Sequence, residues 1–474
     1  MLFNTISFLF LYLPIVLILY YAVAKFNFKG KNNVLNFLLV VFSLYFYFWK
    51  GTRTLLAPFI IIVVWNYLTA LLSEKWRPAL LIGVVGNIGI FFYYKIFHAL
   101  ANAVANLFAF HVSISNILIP VGLSFILFHC ISYLLDIYHG KAKPNRNLIE
   151  FILYVVFFPK LMQGPLVKYY DFEPQLRDRV VNFDTLISGI ERFIIGLGKK
   201  VLLADVFGRI VFDIVYRTND VIDVPTTWLV SILFTIQIYL DFSAYSDMAI
   251  GLGKMFGFKF PENFNFPYSS LSVSEFWRRW HITLGAWFRE YVYIPLGGNR
   301  KGNVYVNLLI VFILTGIWHG TGMAFLLWGL GHGLCVVIER FLNKRGWYEK
   351  IPKAIRWIYT MLVVNIGWLC FLIPHRFILV LYYIARLFGI GVDMEKINFY
   401  FPYFVTRHLI FLMGITIVGL IVLNNERIRS FLLQKSKETF WGTAIKYTLL
   451  LVIFASSVCG ILYGTYRPFL YFQF

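Results

Sequence analysis

Long apolar stretches recur from one end of this 474-residue chain to the other, and they limit it to a membrane fold. Hydrophobic residues make up 59% of the sequence and charged residues only 14%, and the mean hydropathy is +0.72. Soluble globular proteins carry about 25% charged residues. The composition therefore excludes an ordinary soluble fold and predicts an all-α, polytopic membrane protein.

Segments of about twenty apolar residues are the candidate spans, because that length crosses the hydrocarbon core as a helix. They lie near residues 6–24, 34–49, 54–73, 79–96, 116–138, 150–166, 186–204, 226–252, 303–340, 356–373, 407–424 and 446–464. Several are short, long or interrupted, so we predict about ten to twelve crossings. The first run has neither a basic segment before it nor a cleavage site after it, which favours a retained membrane helix over a signal peptide.

No polar linker divides the sequence, which predicts one transmembrane domain over residues 1–474. No internal repeat is evident either, which weakens the interpretation as a transporter built from duplicated halves. The four cysteines lie in or beside apolar runs without metal-ligand spacing, so we interpret them as inert and predict no metal site.

Basic clusters between the spans predict the orientation of the chain. The formal net charge of +20 could indicate nucleic-acid binding, but in a membrane protein it favours basic cytoplasmic loops, and we expect no nucleic-acid partner. The basic positions that we assign to the cytoplasm are Lys25, Lys29, Lys31, Lys344, Arg345, Lys350, Lys353, Arg356, Arg427, Arg429, Lys435, Lys437 and Lys446. Asp393 and Glu395 then fall outside, and both termini are expected outside.

The stretch "EFWRRWHITLGAWFREYVYIPLGGNRKG", residues 275–302, concentrates charge in an otherwise apolar chain. Ser272 followed by Glu275 is a capping-box pattern and predicts a helix start there. From that start, four residues share one face at helical spacing: Trp277, His281, Leu284 and Phe288. Glu275 can pair with Arg279 one turn later. The arginines and tryptophans predict an interfacial or re-entrant helix.

A second histidine, His319, lies in the apolar segment "LTGIWHGTGMAFLLWGLGHG". A lone histidine at membrane depth is often a hydrogen-bonded packing residue, but ionisable groups there also mark functional cavities. Imidazole accepts a proton near neutral pH without a standing charge, which suits a general base. Glycines 316, 320 and 322 would let a ligand approach the backbone. His332, in "GHG", is interpreted as structural.

Other polar positions in apolar runs are interpreted mainly as structural. In "DFSAYSDM", Asp241 and Asp247 lie about two helical turns apart and could be paired inside the bundle. Gln163 and Lys168 in "LMQGPLVKYY" either line a tunnel or accompany a helix break at Gly164 and the proline after it.

Taken together, the charged stretch and the downstream "WHG" resemble the membrane-bound O-acyltransferase (MBOAT) family. The resemblance is to its bacterial branch of alginate and peptidoglycan O-acetyltransferases and D-alanyl transfer proteins, above all the alginate group. It extends through nearly the whole chain, including "FFPKLMQGPLVKYYDFEPQL", "QIYLDFSAYSDMAIGLGKMFGFKFPENFNFPY" and "YIPLGGNRKG". The resemblance implies a ring of membrane helices around a central tunnel, with re-entrant and amphipathic helices.

The resemblance also implies the chemistry and the residues that perform it. His319 matches the family's catalytic histidine and His281 its second polar position. The reaction expected is transfer of an acetyl group from cytoplasmic acetyl-CoA, a substrate and not a cofactor, to a hydroxyl presented from the other side. His319 would act as the base, and His281 would orient the substrate or donate to the oxyanion. Arg278, Arg279, Lys301 and Trp318 are the candidates for binding the donor.

The aromatic C-terminal tail, residues 468–474, "PFLYFQF", is the last feature to which we assign a role. A tail this aromatic is unlike a segment exposed to water and is expected to pack against protein or lipid. We expect it on the outer side, with Tyr471 as an acyl relay; the alternative is an interfacial anchor. The resemblance implies a separate SGNH-like transferase outside the cell that acetylates an exported polysaccharide, and a location in the bacterial cytoplasmic membrane. D-alanyl transfer or non-catalytic transport remain alternatives, and the polysaccharide is left open.

Overall fold

The computed structural model describes residues 1–49, 56–97, 100–101, 104, 119–217, 221–397 and 400–464, and most of these residues are helical. No β-strand occurs among these residues, which confirms the predicted all-α class. The aromatic tail and Tyr471 lie outside the described residues.

The helices of the first half are interrupted by π-helical turns. They are α1 (Leu13–Ala24), α2 (Lys31–Tyr47), α3 (Leu56–Leu72), α4 (Ala79–Phe92), α5 (Leu123–Tyr138), α6 (Leu148–Val156), α7 (Tyr169–Arg177), α8 (Phe183–Gly198) and α9 (Asp205–Arg217). The π-helical turns are Phe8–Tyr12, Tyr93–Phe97 and Lys199–Ala204. Such turns frequently occur at functional sites in other proteins.

The second half contains the longest helix and the charged stretch. Its helices are α10 (Val224–Met255), α11 (Val273–Arg279), α12 (Ile282–Phe288), α13 (Val304–His319), α14 (Met323–Lys344), α15 (Lys353–Leu372), α16 (Phe377–Leu387), α17 (Phe401–Phe404), α18 (Arg407–Asn424), α19 (Glu426–Glu438) and α20 (Phe440–Tyr463). A further π-helical turn is Arg289–Tyr293, and short 3₁₀ turns are Pro267–Ser269, Tyr348–Lys350 and Met394–Lys396.

Among the described residues, six helical segments are long and apolar enough to cross a membrane: Ala79–Phe97, Val224–Met255, Met323–Lys344, Lys353–Leu372, Arg407–Asn424 and Phe440–Tyr463. Shorter apolar helical segments are Phe8–Ala24, Leu56–Leu72, Leu123–Tyr138, Val304–His319 and Phe377–Leu387. The protein is therefore a multi-pass membrane protein, while the number of crossings stays a prediction.

Two predicted spans differ from the structure because prolines or glycines end the helix. The run at 150–166 is helical only to Val156 and continues as a buried, non-helical segment that contains Pro159 and Gly164. The run at 303–340 is two helices, α13 and α14, separated at Gly320–Gly322. A proline lacks a backbone donor and glycine is a poor helix former, so both interruptions follow from local chemistry.

The α13–α14 hairpin packs backbone against backbone. A Cβ atom at Gly316 would lie 2.6 Å from the carbonyl oxygen of Phe325, and one at Gly329 would lie 2.6 Å from that of Phe312. Gly320 and Gly322 are crowded in the same way, by the Phe325 ring and by the carbonyl of Pro374. The expectation that these glycines admit a ligand is therefore wrong, since they let protein segments approach each other.

Replacing Gly329 with alanine is expected to destabilise the protein by about 1–3 kcal/mol, because the new methyl group collides with a backbone carbonyl. Thermal unfolding in detergent measures the change. Gly331, on the same helix, has open space within 4 Å of the position that an alanine methyl group would take, so its alanine variant is the matched control and should be as stable as the parent or more so. Equal melting temperatures for the two variants would contradict this packing.

The described contacts group the chain into two compact units. One comprises Met1–Phe193, Ser246–Glu262 and Ala286–Pro295, and the other comprises Ile194–Tyr245, Asn263–Gly285 and Leu296–Phe474. The second unit has a core rich in indole rings: Trp280 and Trp368 lie 4.7 Å apart between ring centroids, and Trp328 lies 5.1 Å from Phe371. Both candidate catalytic histidines belong to this second unit.

Candidate active site

Helix α11 begins where the capping-box pattern predicts. The Ser272 hydroxyl accepts a hydrogen bond from the backbone N–H of Glu275 at 2.9 Å, and the Glu275 carboxylate accepts one from the backbone N–H of Leu271 at 2.9 Å. Glu275 also pairs with Arg279 at 2.7 Å, as the i, i+4 spacing predicts. The start of this helix is therefore encoded locally.

The prediction that one helix carries Trp277, His281, Leu284 and Phe288 on a single face is wrong. Helix α11 ends at Arg279, and His281 adopts a left-handed backbone conformation with φ of 45° before α12 begins. Two backbone hydrogen bonds hold the break to the preceding segment: Asn265 N–H donates to the Arg279 carbonyl, and Ile282 N–H to the Asn263 carbonyl. A positive φ is costly for a non-glycine residue, so these long-range bonds stabilise it.

The side chain of Asn263 fixes the tautomer of His281. Its Oδ1 atom accepts from the backbone N–H of Thr283 at 3.3 Å and from the Thr283 hydroxyl at 2.9 Å, which identifies it as the amide oxygen. His281 Nδ1 lies 3.1 Å from the same oxygen and must therefore donate. The neutral ring keeps its lone pair on Nε2, which is buried and has no hydrogen-bond partner among the described residues.

His319 is the last residue of α13, and aromatic rings surround it. Its ring centroid lies 4.6 Å from that of Trp318, 5.1 Å from that of Trp328 and 4.9 Å from that of Phe371. Only 8% of the residue is exposed. The hairpin therefore presents the imidazole in a nearly dry, aromatic environment, where a change of charge is costly.

A cavity of about 30 Å³ brings the two histidines together. Its walls are Ile238, Asp241, Phe242, Trp277, Trp280, His281, Leu284, Thr315, His319, Trp328, Trp368 and Phe371. Trp277, His281 and Leu284 thus do share a surface, although two short helices and a break place them there. The two histidines and Asp241 are the ionisable groups among these lining residues.

The other predicted donor-binding residues do not line this cavity. Trp318 is buried beside it, with its ring centroid 6.4 Å from that of His281. Arg279 pairs with Glu275 and donates to the Ser269 hydroxyl at 3.2 Å. Arg278 and Lys301 are exposed. A role of these residues in binding the donor stays a prediction.

Two acidic residues have roles that the sequence did not indicate. Glu339 on α14 is buried, and it accepts hydrogen bonds from the backbone N–H groups of Val273 and Ser274 at 2.6 and 2.8 Å. Its position as a single acid in the apolar run "GLCVVIERF" was the available signal. Asp241 pairs with Lys200 at 2.6 Å, so the suggested pair between the two aspartates of α10 is wrong.

His332 has a packing role, as predicted. The indole N–H of Trp277 donates to His332 Nδ1 at 3.3 Å, and a Cβ atom on Gly367 would lie 2.4 Å from His332 Nε2. The ring therefore supports a wall of the cavity from behind without lining it.

Glu290, in the 275–302 stretch, is paired within the first unit. The Glu290 carboxylate forms ion pairs with both Lys141 and Lys168, and it accepts a hydrogen bond from the Tyr170 hydroxyl at 3.3 Å. Gln163, which precedes Lys168 in the same segment, is fully buried. A tunnel-lining role for Gln163 or Lys168 remains a prediction, whereas the two ion pairs give Glu290 a structural role.

Sequence comparison identifies the class of protein to which this membrane fold and its two-histidine cavity belong. The sequence profile of the membrane-bound O-acyltransferase family, MBOAT, matches residues 143–385. The chain belongs to this family. The resemblance inferred from the sequence motifs is thereby confirmed.

The similar members of this family are named after different polymers. The chain is 36% identical to the probable alginate O-acetylase AlgI of Pseudomonas putida, over the full length of both proteins. It is 32% identical to the peptidoglycan O-acetyltransferase of Helicobacter pylori, over 78% of this chain and 77% of that protein. The teichoic acid D-alanyltransferase of Bacillus subtilis is 25% identical, over 54% of this chain and 68% of that protein.

Proposed function

We propose that this protein is an O-acetyltransferase of the bacterial cytoplasmic membrane, with both termini outside. It takes acetyl from cytoplasmic acetyl-CoA and passes it across the membrane to an extracytoplasmic SGNH-like transferase, which acetylates an exported polysaccharide. The observation that carries the proposal is the single cavity lined by His281 and His319. The 36% sequence identity to a probable alginate O-acetylase, over the whole chain, supports acetyl as the group transferred.

The chemistry that the cavity supports is proton transfer and orientation. A thioester is already activated, so the enzyme has to deprotonate the acceptor hydroxyl and hold it against the carbonyl carbon. We assign the base to His319 and substrate binding to His281. Because the neutral His281 ring has its lone pair on Nε2, it accepts a hydrogen bond from a substrate N–H or O–H group; donation to an oxyanion would need a protonated ring.

The acceptor inside the membrane is assigned to the chain itself. A tyrosine hydroxyl at position 471 would receive the acetyl group and pass it to the external transferase, so the polysaccharide need not enter the membrane. Arg278, Arg279, Lys301 and Trp318 would bind the donor, with the cations meeting its phosphates. No metal or further cofactor is needed for this sequence of steps.

Purified protein incubated with isotopically labelled acetyl-CoA tests the proposal directly. We expect peptide mass spectrometry to find the label on Tyr471. When a labelled D-alanyl carrier protein replaces acetyl-CoA as the donor, we expect no label on the chain. Label from the D-alanyl carrier and none from acetyl-CoA would replace this function with D-alanyl transfer. Translocation of a glycan precursor without any covalent transfer would replace it with transport.

Replacing Tyr471 with phenylalanine is expected to remove the label and to reduce acetylation of the external partner at least about 100-fold, since the relay oxygen is lost. The matched control is Tyr463, an exposed tyrosine at the end of α20, whose phenylalanine variant should keep full activity. Partner acetylation at the parental rate in the Tyr471→Phe variant would mean that transfer is direct and the tail is an anchor.

A further inference from the structure

The Nε2 atom of His281 is a buried hydrogen-bond acceptor for which the described residues supply no partner. Only 3% of the residue is exposed, and its ring lines the cavity that it shares with His319, the histidine cavity. Since Nδ1 donates to Asn263, which does not line the cavity, Nε2 is the ring nitrogen on the cavity side. Buried polar groups are nearly always hydrogen-bonded, so we expect a small polar molecule to meet this nitrogen.

Other polar groups in the same walls suit a water molecule. Trp328 lines the cavity, and its indole N–H is buried without a hydrogen-bond partner among the described residues. The Thr315 hydroxyl, also in the wall, donates to the Val311 carbonyl at 2.8 Å, which leaves its oxygen lone pairs free to accept. A buried water needs about two to four polar partners and at least 10–15 Å³. The histidine cavity, at about 30 Å³, offers both the partners and the room.

A water on His281 would take the place of the acceptor hydroxyl in the proposed reaction. Both ligands present an O–H group, and the lone pair of Nε2 accepts either one. A volume of about 30 Å³ does not hold a water beside an acceptor side chain, so the two compete for one position. His319, the assigned base, lines the same cavity and is available to whichever of them is bound.

We propose that the histidine cavity hydrolyses acetyl-CoA when no acceptor hydroxyl occupies it, a further activity that rests on the proposed function. His281 holds the water through one O–H group. The other O–H group gives its proton to His319 as the water oxygen bonds to the thioester carbonyl carbon. The carbon–sulfur bond then breaks, and the imidazolium returns the proton to the leaving thiolate. The products are the CoA thiol and acetic acid, which releases its own proton to give acetate.

Removing the proposed relay isolates this activity. The Tyr471→Phe variant, given acetyl-CoA without any partner protein, is expected to release CoA thiol at or above the parental rate, because no acceptor hydroxyl competes with the water. In water enriched in oxygen-18, the acetate should carry the heavy isotope, which distinguishes hydrolysis from transfer to a hydroxyl of the detergent. CoA release no faster than in buffer alone would overturn the inference without need of any cavity variant.

The His281→Phe substitution removes the acceptor and keeps an aromatic ring of similar size. In the Tyr471→Phe background we expect CoA release at least about tenfold slower, because the water is no longer held against the carbonyl carbon. His281→Gln places a side-chain amide near the position of Nε2 and should recover part of the rate. A melting curve checks that each variant is folded. An unchanged rate in folded His281→Phe protein would exclude His281 as the group that holds the water.

Another histidine supplies the matched control for this substitution. His375 is exposed and does not line the histidine cavity. In the same Tyr471→Phe background, the His375→Phe variant should release CoA as fast as the background protein. An equal loss in the His375→Phe and His281→Phe variants would contradict a specific role of His281.

The outcomes separate this inference from the proposed function. If the parent acetylates Tyr471 or the external partner but the Tyr471→Phe variant releases no CoA, the proposed function stands and the hydrolysis is overturned. CoA release that persists in the His319→Ala variant would place hydrolysis outside the histidine cavity and would also overturn the inference. Hydrolysis that requires both His281 and His319, in a parent that acetylates neither its own chain nor a partner, would support the hydrolysis and contradict the proposed transferase.

Discussion

Replacing His319 with alanine is expected to lower acetyl transfer by about 100-fold or more while the protein stays folded in detergent. A positioned general base contributes about 10²- to 10⁴-fold to a rate, and His319 is the candidate base in the cavity wall. The ring ends α13 and packs against Trp328 and Phe371, so its loss leaves a small void among aromatic side chains. Labelled acetyl-CoA measures the rate, and a melting curve measures the fold.

Two other histidines make this experiment specific. His375 is exposed and lies outside the cavity, so its alanine variant should transfer acetyl at the parental rate. His332 lies behind the cavity wall, where it accepts a hydrogen bond from Trp277, so its alanine variant should chiefly lose stability. Parental activity in the His319→Ala variant would exclude this residue as the base.

Replacing Glu339 with alanine is expected to destabilise the protein by about 3 kcal/mol and to reduce activity with it. The carboxylate accepts hydrogen bonds from two backbone N–H groups at the start of α11 and from the Ser274 hydroxyl at 2.6 Å. Without it, both N–H groups are left without this acceptor at a buried helix end. Helix α11 and the residue after it carry Trp277 and Trp280, which line the cavity, so the damage extends to the site.

Glu349 offers a control for removing a glutamate from the same region of the sequence. It is exposed, and its alanine variant should unfold at the parental temperature. A Glu339→Gln variant keeps one acceptor oxygen and should fall between the parent and Glu339→Ala. If Glu339→Ala unfolds at the same temperature as Glu349→Ala and the parent, then α11 does not depend on this carboxylate.

Local chemistry explains which parts of the fold could be predicted from the sequence. Apolar runs of sufficient length gave the all-α membrane class, and the Ser272–Glu275 pattern gave the start of α11, because both signals lie within a few residues of the feature they predict. The family motif around His319 likewise led to a residue that lines the cavity.

Long-range contacts explain the failures. The helix break at His281 depends on hydrogen bonds to Asn263 and Asn265, which no local spacing of apolar residues reveals. Asp241 pairs with Lys200 on another helical segment, so spacing along α10 pointed to the wrong partner. The capping of α11 by Glu339 joins residues more than sixty positions apart. Each of these contacts is set by the packing of helices and not by the sequence near it.

The size of the histidine cavity bears on which acyl groups can react there. A volume of about 30 Å³ holds one or two water molecules and little more. Its walls include four indole rings from three helices and the break: Trp277, Trp280, Trp328 and Trp368. Indole rings in a packed core cannot move independently of their neighbours. A two-carbon group needs only a small displacement of these rings, whereas a fatty acyl chain would need several of them to move together. Under the proposed function, we therefore expect the packed aromatic wall to select for short acyl groups, without any polar contact to the acyl chain.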